Sequence, residues 1–239
     1  MSVTVSVVIN AHREGALLAP TISSVIQSAE KAKMAGISCK INLVLDAADQ
    51  ATRDAARLFK HDINIHEVEF KDLSLSRRHG LSLVDAEFTT FIDGDDLWGA
   101  DWIVNCCKTC RKLDDSKVVV HPRVNMYFGR GLTPHFWIHP DMREIDMNVL
   151  DVVVQNRWTA LSFAPSEIYR KYTYQENRIV DGFGYEDWLW HIETIKAGVR
   201  HIVAKDTIHF IRRKSAGSLL GMSKANHVLP RLYDRDWLF

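Results

Sequence analysis

From Val3 to Asn10 the chain is an apolar run rich in β-branched residues; after it Leu17, Ile22, Val25, Ile26 and Ala29 recur at helical spacing until Gly36. A continuous β-branched run suits a buried strand, and a period of 3.6 suits a helix with one buried face. Pro20 is compatible with that helix if it lies in the first turn, where its missing amide leaves no bond unmade. The alternation then repeats. A strand at Ile41 to Leu45 ends at Asp46 and precedes a helix with Ala55, Leu58 and Phe59 on one face. A strand at Ile63 to Phe70 precedes a helix at Ser74 to Val84 carrying Arg77 and Arg78, and a fourth strand, Glu87 to Ile92, runs into Asp93-Gly94-Asp95-Asp96.

Repeated strand–helix units predict an α/β class with a mainly parallel central sheet flanked by helices on both faces. Such sheets bind ligands beyond the carboxyl ends of their strands. His12, Arg13, Glu14, Asp46, Asp93 and Asp95 all fall just after predicted strands. Beyond residue 115 the pattern loosens. Val118 to Val120 reads as a strand, Arg123 to Trp137 as a hairpin or mobile loop, and Asp146 to Trp158 as either helix or loop. Trp188 to Ala197 is amphipathic, with Gly198 as its stop and a strand at Val199 to Val203. Without repeats, low-complexity tracts or a linker, residues 1–239 read as one domain with halves at 1–115 and 116–239.

Composition narrows the partners. Thirty basic and thirty acidic residues cancel, so no global field gathers nucleic acid. No apolar run approaches the roughly 18 residues of a membrane span, and the start lacks a signal core. The chain therefore reads as cytoplasmic, with peripheral association at the inner face of the membrane left open. Cys106, Cys107 and Cys110 share a helix face with Trp102, Ile103 and Leu113, and with Cys39 they are expected to be core thiols.

Three carboxylates in the turn at Asp93, Asp95 and Asp96 repel one another by roughly 3 kcal/mol per pair at about 6 Å and an effective dielectric near 20. A hard divalent cation would relieve this, while a solvated acidic helix cap is the plain alternative. A second acidic pair, Glu186-Asp187, opens the amphipathic helix among Tyr185, Trp188 and Trp190. Acids at a helix start complement its dipole. Walled by aromatic rings, a carboxylate there is also suited to general-base work.

Read in order, Val5-Ser6-Val7-Val8-Ile9-Asn10-Ala11-His12-Arg13-Glu14, Ser76-Arg77-Arg78-His79-Gly80-Leu81, Phe91 to Trp98 and Tyr185-Glu186-Asp187 resemble the motifs of the inverting family 2 glycosyltransferases, which have the Rossmann-like GT-A fold. The resemblance spans roughly residues 3 to 217. It implies a nucleotide-sugar-binding half at 1–115 and a smaller acceptor-binding region at 116–239. The implied donor is a UDP-, GDP- or dTDP-sugar, the cofactor Mn2+ or Mg2+, and the acceptor a glycan or lipid-linked molecule. By the same likeness Ala11, His12, Arg13 and Glu14 form the nucleotide loop, and Asp46 and Arg77 face the base or phosphates. Asp93 and Gly94 lie at the nucleotide and metal region, Asp95 ligates the cation with Asp93, and His209 reaches the metal or diphosphate. Asp187 deprotonates the acceptor and Glu186 helps place it.

The chain departs from the family pattern at His12, Arg13, Ala47 and Arg78, where tyrosine, asparagine, aspartate and asparagine are usual. The run Arg212-Arg213-Lys214 reads as a solvated face, and Ser215-Ala216-Gly217-Ser218 as a lid that orders on donor binding. The end at Trp237-Leu238-Phe239 suggests one module of a longer enzyme. No phosphate loop, strand-linked Gly-x-Gly-x-x-Gly, His-Glu-x-x-His or Gly-x-Ser-x-Gly is present. Two other functions stay open: a sugar-nucleotide nucleotidyltransferase, and a non-catalytic carbohydrate-binding scaffold.

Overall fold

The computed structural model describes residues 3–113, 116–214 and 219–232. Its first half has the expected alternation. Strands β1 (Thr4–Ala11), β2 (Ser38–Asp46), β3 (Asn64–Val68) and β4 (Phe88–Asp93) are connected through helices α1 (Leu18–Met34), α2 (Gln50–Arg57) and α3 (Leu73–Ser82). These four strands pair in parallel in the order β3-β2-β1-β4. Pro20 lies in the first turn of α1, and Gly36 stops that helix at φ +76°.

The second half extends the same sheet with mixed pairing. A short β5 (Leu97–Trp98) leads to α4 (Trp102–Leu113), then β6 (Val118–Phe128), β7 (His135–Ile138) and α5 (Val149–Val154). After them come β8 (Ser162–Pro165), α6 (Ser166–Lys171), α7 (Glu186–Lys196), β9 (Arg200–Arg212) and α8 (Leu219–Ala225). The sheet continues from β4 as β8-β6-β9-β5, with β7 pairing with β6. Only β6 and β9 are parallel here, while β4–β8, β6–β8, β6–β7 and β5–β9 are antiparallel.

Three details sharpen or correct the pattern-based expectation. β6 and β9 run far beyond their apolar cores, because polar residues such as Asn125 and His209 are themselves buried along the paired strands. Arg123 to Trp137 accordingly forms most of the β6–β7 hairpin. Leu58 does not share the buried face of α2; it lies just past the helix end and is 76% exposed. The ambiguous Asp146 to Trp158 stretch contains α5, set by a capping box between Asn148 and Asp151.

Two apolar layers cover the sheet. Val5, Val7 and Ile9 point with α1 and α4 into one core, which includes Cys106, Cys107 and Cys110 with Cys39 at its margin. Val8 and Phe91 point into the other, with Leu81 of α3, Ile168 and Tyr169 of α6 and Trp190 of α7. The four cysteines are free thiols, and burial pushes their pKa values up. Among the described residues no helix is long and apolar enough to cross a membrane. The expected lid at 215–218 and the terminal Trp237 to Phe239 lie outside the described residues.

Candidate active site

The carboxyl ends of the central strands converge at one edge. Asn10 pairs in register with Asp93, and Ala11 with Leu45, so the loops leaving β1, β2 and β4 open side by side. Gly94 serves this convergence: a Cβ there would lie 2.8 Å from that of Ala11, and its amide donates to the Asn10 carbonyl at 2.8 Å. Ala11 and Gly94, expected at the donor, thus make the backbone contact that brings the two loops together. Gly80 likewise lets α3 approach β1, since a Cβ there would collide with Val8 Cγ1 at 2.4 Å.

That close approach delivers Arg77 to the centre of the site. Only 1% exposed, its guanidinium donates from Nη1 to Glu186 Oε1 at 2.7 Å and from Nη2 to Asp93 Oδ1 at 2.9 Å. The Tyr174 ring lies 5.1 Å away as a further face for the cation. Burial opposes the charge, but Asp93 and Glu186 together outweigh it and raise the Arg77 pKa. Arg77, expected to face base or phosphates, has both Nη atoms donating to carboxylates and ties the strand-end turn to the start of α7.

α7 begins with two acids in unlike surroundings. Glu186, 6% exposed, is paired with Arg77. Asp187 is half-buried; its Oδ1 accepts the Trp188 amide at 2.8 Å and its Oδ2 lies 3.5 Å from Asn156 Nδ2. Desolvation, then the neighbouring Glu186 charge, push the Asp187 pKa up to about 7 against the pull of Arg77. Tyr185 adopts φ +59° just before the helix, a conformation that costs a bulky residue about 1 kcal/mol or more. Strain of this kind persists where the surroundings fix the backbone, and here it sets the direction in which Glu186 and Asp187 leave the loop.

Around the acidic turn the carboxylates divide. Asp95 Oδ2 lies 2.9 Å from Lys214 Nζ, which is 3.7 Å from Glu14 Oε1. Desolvation raises the Glu14 pKa, and the His12 amide and Lys214 oppose it. Asp96 instead turns inward. Its Oδ1 accepts the Arg212 amide at 2.8 Å, and its Oδ2 lies 3.1 Å from His209 Nε2. His209, expected at the metal or diphosphate, therefore contacts Asp96, because its strand places it opposite Trp98 on β5. The basic run is not a solvated face either: Arg212 donates from Nε to the Asp95 carbonyl and stacks over Phe128, and Lys214 reaches into the acids.

Asp46, also expected at the base or phosphates, is held by the turn into α3. Its carboxylate accepts the amides of Lys71 and Asp72, at 2.8 and 3.1 Å, and the Ser76 hydroxyl at 2.7 Å. These bonds hold the turn into α3 and leave the group buried. His12 and Arg13 stay exposed at the mouth, with His12 Nδ1 against the Asp46 carbonyl. Asn10 went unremarked in the motif of β1. It is 4% exposed, and neither amide atom has a hydrogen-bond partner among the described residues. A polar residue interrupting a β-branched strand at its carboxyl end was the available signal.

Residues 6–173 match the family described as Glycosyl transferase family 2. Among solved structures the chain resembles S. aureus TarS 1-349 in complex with UDP-GlcNAc, at TM-score 0.64 and 12% identity, covering 90% of this chain and 60% of that one. It also resembles mannosyltransferase PcManGT from Pyrobaculum calidifontis in complex with GDP-Man and Mn2+, at TM-score 0.60 and 15% identity, covering 89% of this chain and 58% of that one. The chain thus spans about 60% of the length of the chains in these two structures. No curated protein sequence matches it.

Proposed function

Because the chain belongs to glycosyl transferase family 2, we propose that it moves a sugar from a nucleoside diphosphate donor to an acceptor hydroxyl with inversion at the anomeric carbon. The observation that carries this reading is the raised, half-open Asp187 carboxylate on the edge where Asp93 and Asp95 end the central strands. The donor's phosphates lie by the loops after β1 and β4, with the Asn10 amide offered to the donor. Asp187 takes the proton of the acceptor hydroxyl. The acceptor oxygen forms the new bond to the anomeric carbon, the bond to the diphosphate oxygen breaks, and the nucleoside diphosphate leaves with that electron pair.

Asp95 and Glu14, on either side of the Lys214 ammonium, and Asp93 at the start of the same turn offer carboxylate oxygens of the kind a divalent cation takes, and the ammonium marks where positive charge is favourable. These residues would hold Mn2+ or Mg2+, which supplies charge neutralisation on the departing diphosphate when bound. The UDP-GlcNAc and GDP-Man/Mn2+ complexes of the two similar structures support a nucleotide-sugar donor and a metal. Lys214 then competes for the same carboxylates. Lys214→Met is expected to tighten Mn2+ binding by about three- to tenfold, a change of up to about 1.4 kcal/mol, in a calorimetric titration. Unchanged affinity would separate Lys214 from the metal site.

The proposal is tested by a thermal-shift screen of UDP-, GDP- and dTDP-sugars with and without Mn2+, followed by product analysis. A true donor at about 100 times its Kd adds about 2.7 kcal/mol, which is about 5–10 °C in Tm for a chain of this size. Turnover that releases free nucleoside diphosphate supports transfer. A nucleoside monophosphate joined to sugar phosphate would replace it with the nucleotidyltransferase reading.

A further inference from the structure

We infer that Asn156, oriented by His191, is the positioning residue for the Asp187 carboxylate. This deepens the reading of Asp187 as base and rests on it. Asn156 lies in the loop after α5, remote in sequence from the acidic motif, yet its Nδ2 is 3.5 Å from Asp187 Oδ2 and its Oδ1 is 2.9 Å from His191 Nδ1. His191 stands one helical turn after Asp187 on α7, so both partners of the amide come from one rigid element.

The direction of the amide follows from the protonation of His191. Its ring is buried, and desolvation, then His201, hold its pKa well below the usual imidazole range, so it is neutral. Around it His121 Nε2 meets His201 Nδ1 at 2.9 Å, while His121 Nδ1 meets the Leu161 carbonyl and His201 Nε2 meets the Thr194 hydroxyl. These neutral rings form a closed hydrogen-bonded layer under α7. A neutral His191 that donates from Nδ1 to Asn156 Oδ1 leaves the amide's N–H group turned to Asp187. The reverse orientation would set an amide oxygen against a carboxylate.

The loop itself is pinned on the C-terminal side of Asn156. Arg157 Nε donates to the Asp151 carbonyl at 3.2 Å, Trp158 Nε1 to the Pro140 carbonyl at 3.0 Å, and the Thr159 amide to His139 Nε2 at 3.0 Å. The Trp188 amide donates to Oδ1 at 2.8 Å, and the Asn156 amide faces Oδ2 at 3.5 Å, a long contact. Together they orient the carboxylate relative to α7 and leave its remaining lone pairs for an acceptor hydroxyl. The charged and titratable groups that act on Asp187 from other elements are Arg77, Asp93, Tyr174 and Tyr127, with Glu186 and Tyr185 beside it in the chain.

The test uses the 239-residue chain without ligand. The Asp187 carboxyl carbon is followed by 13C NMR through a pH titration in wild type, Asn156→Ala, His191→Leu and His191→Asn. Asn156→Ala and His191→Leu remove or release a donor to the charged form, so the midpoint is expected to rise by about half a unit or more. His191→Asn keeps an N–H near the Nδ1 position and is expected to restore it. Midpoints that do not move in Asn156→Ala and His191→Leu, with Tm within about 2 °C of wild type, would overturn the inference. If Asn156→Ala does not fold, the His191→Leu and His191→Asn pair decides alone. Failure of the base reading shows separately, as sugar transfer by Asp187→Asn at the wild-type rate.

Discussion

Asp187→Asn is expected to slow sugar transfer by about 10²- to 10⁴-fold while leaving donor affinity within about twofold, because asparagine keeps the shape of the carboxylate but cannot accept the acceptor's proton. In the proposed arrangement the donor's phosphates are read by groups on other loops, so affinity and turnover are expected to separate. In wild type the acid limb of the rate profile is expected near the raised Asp187 value of about 7. The same shift carries a stability sign. Between the ordinary carboxylate range and about 7 the folded state holds a proton that the unfolded chain has released, so folding weakens as pH rises through that window. Asp187→Asn removes this penalty. Its Tm is expected to match wild type near pH 4, to gain on it as pH rises to about 7, and to keep the gain above. Equal Tm differences at pH 4 and pH 8 would mean that Asp187 is not perturbed as the surrounding structure implies.

Periodicity was a good guide wherever one face of an element met a continuous core. β1 to β4 and α1 to α3 could be read because their apolar residues recur locally and their partners follow within a few tens of residues. The extensions of β6 and β9 could not, since their polar residues are made tolerable by pairing between segments about eighty residues apart. The site shows the same division. That Asp93, Asp95, Glu186 and Asp187 gather at one edge follows from motif order and strand ends. The partners that give each acid its character are non-local: Arg77 for Glu186, Lys214 for Asp95, His209 for Asp96 and Asn156 for Asp187. A residue type announces charge, but its counter-charge is chosen by the fold. Asp46 is a further case, its carboxylate bound by three donors from the turn into α3. The neighbouring Ala47, where the family usually has aspartate, takes φ +48°, a conformation that aspartate adopts more readily than alanine.

Arg77→Met should be the most destabilising single change in the site, at about 3–5 kcal/mol, which corresponds to a fall of about 6–20 °C in Tm for a chain of this length. Methionine fills much of the same volume, so the loss is not a cavity effect. It arises because Glu186 is then a buried carboxylate without a counter-charge, while Asp93, with a side chain 35% exposed, can turn to water. This asymmetry makes the effect separable. Glu186→Gln in the Arg77→Met background removes the stranded charge and is expected to recover at least half of the lost stability, so the two substitutions should be strongly non-additive. Asp93→Asn in the same background should recover little. Arg77→Lys cannot substitute, since one ammonium on a flexible stem does not reproduce a planar fork donating to two carboxylates. If chemical denaturation shows Arg77→Met within about 1 kcal/mol of wild type, the guanidinium is not the tie between the strand-end turn and α7, and the coupling of the donor edge to the base must lie in the backbone at Tyr185.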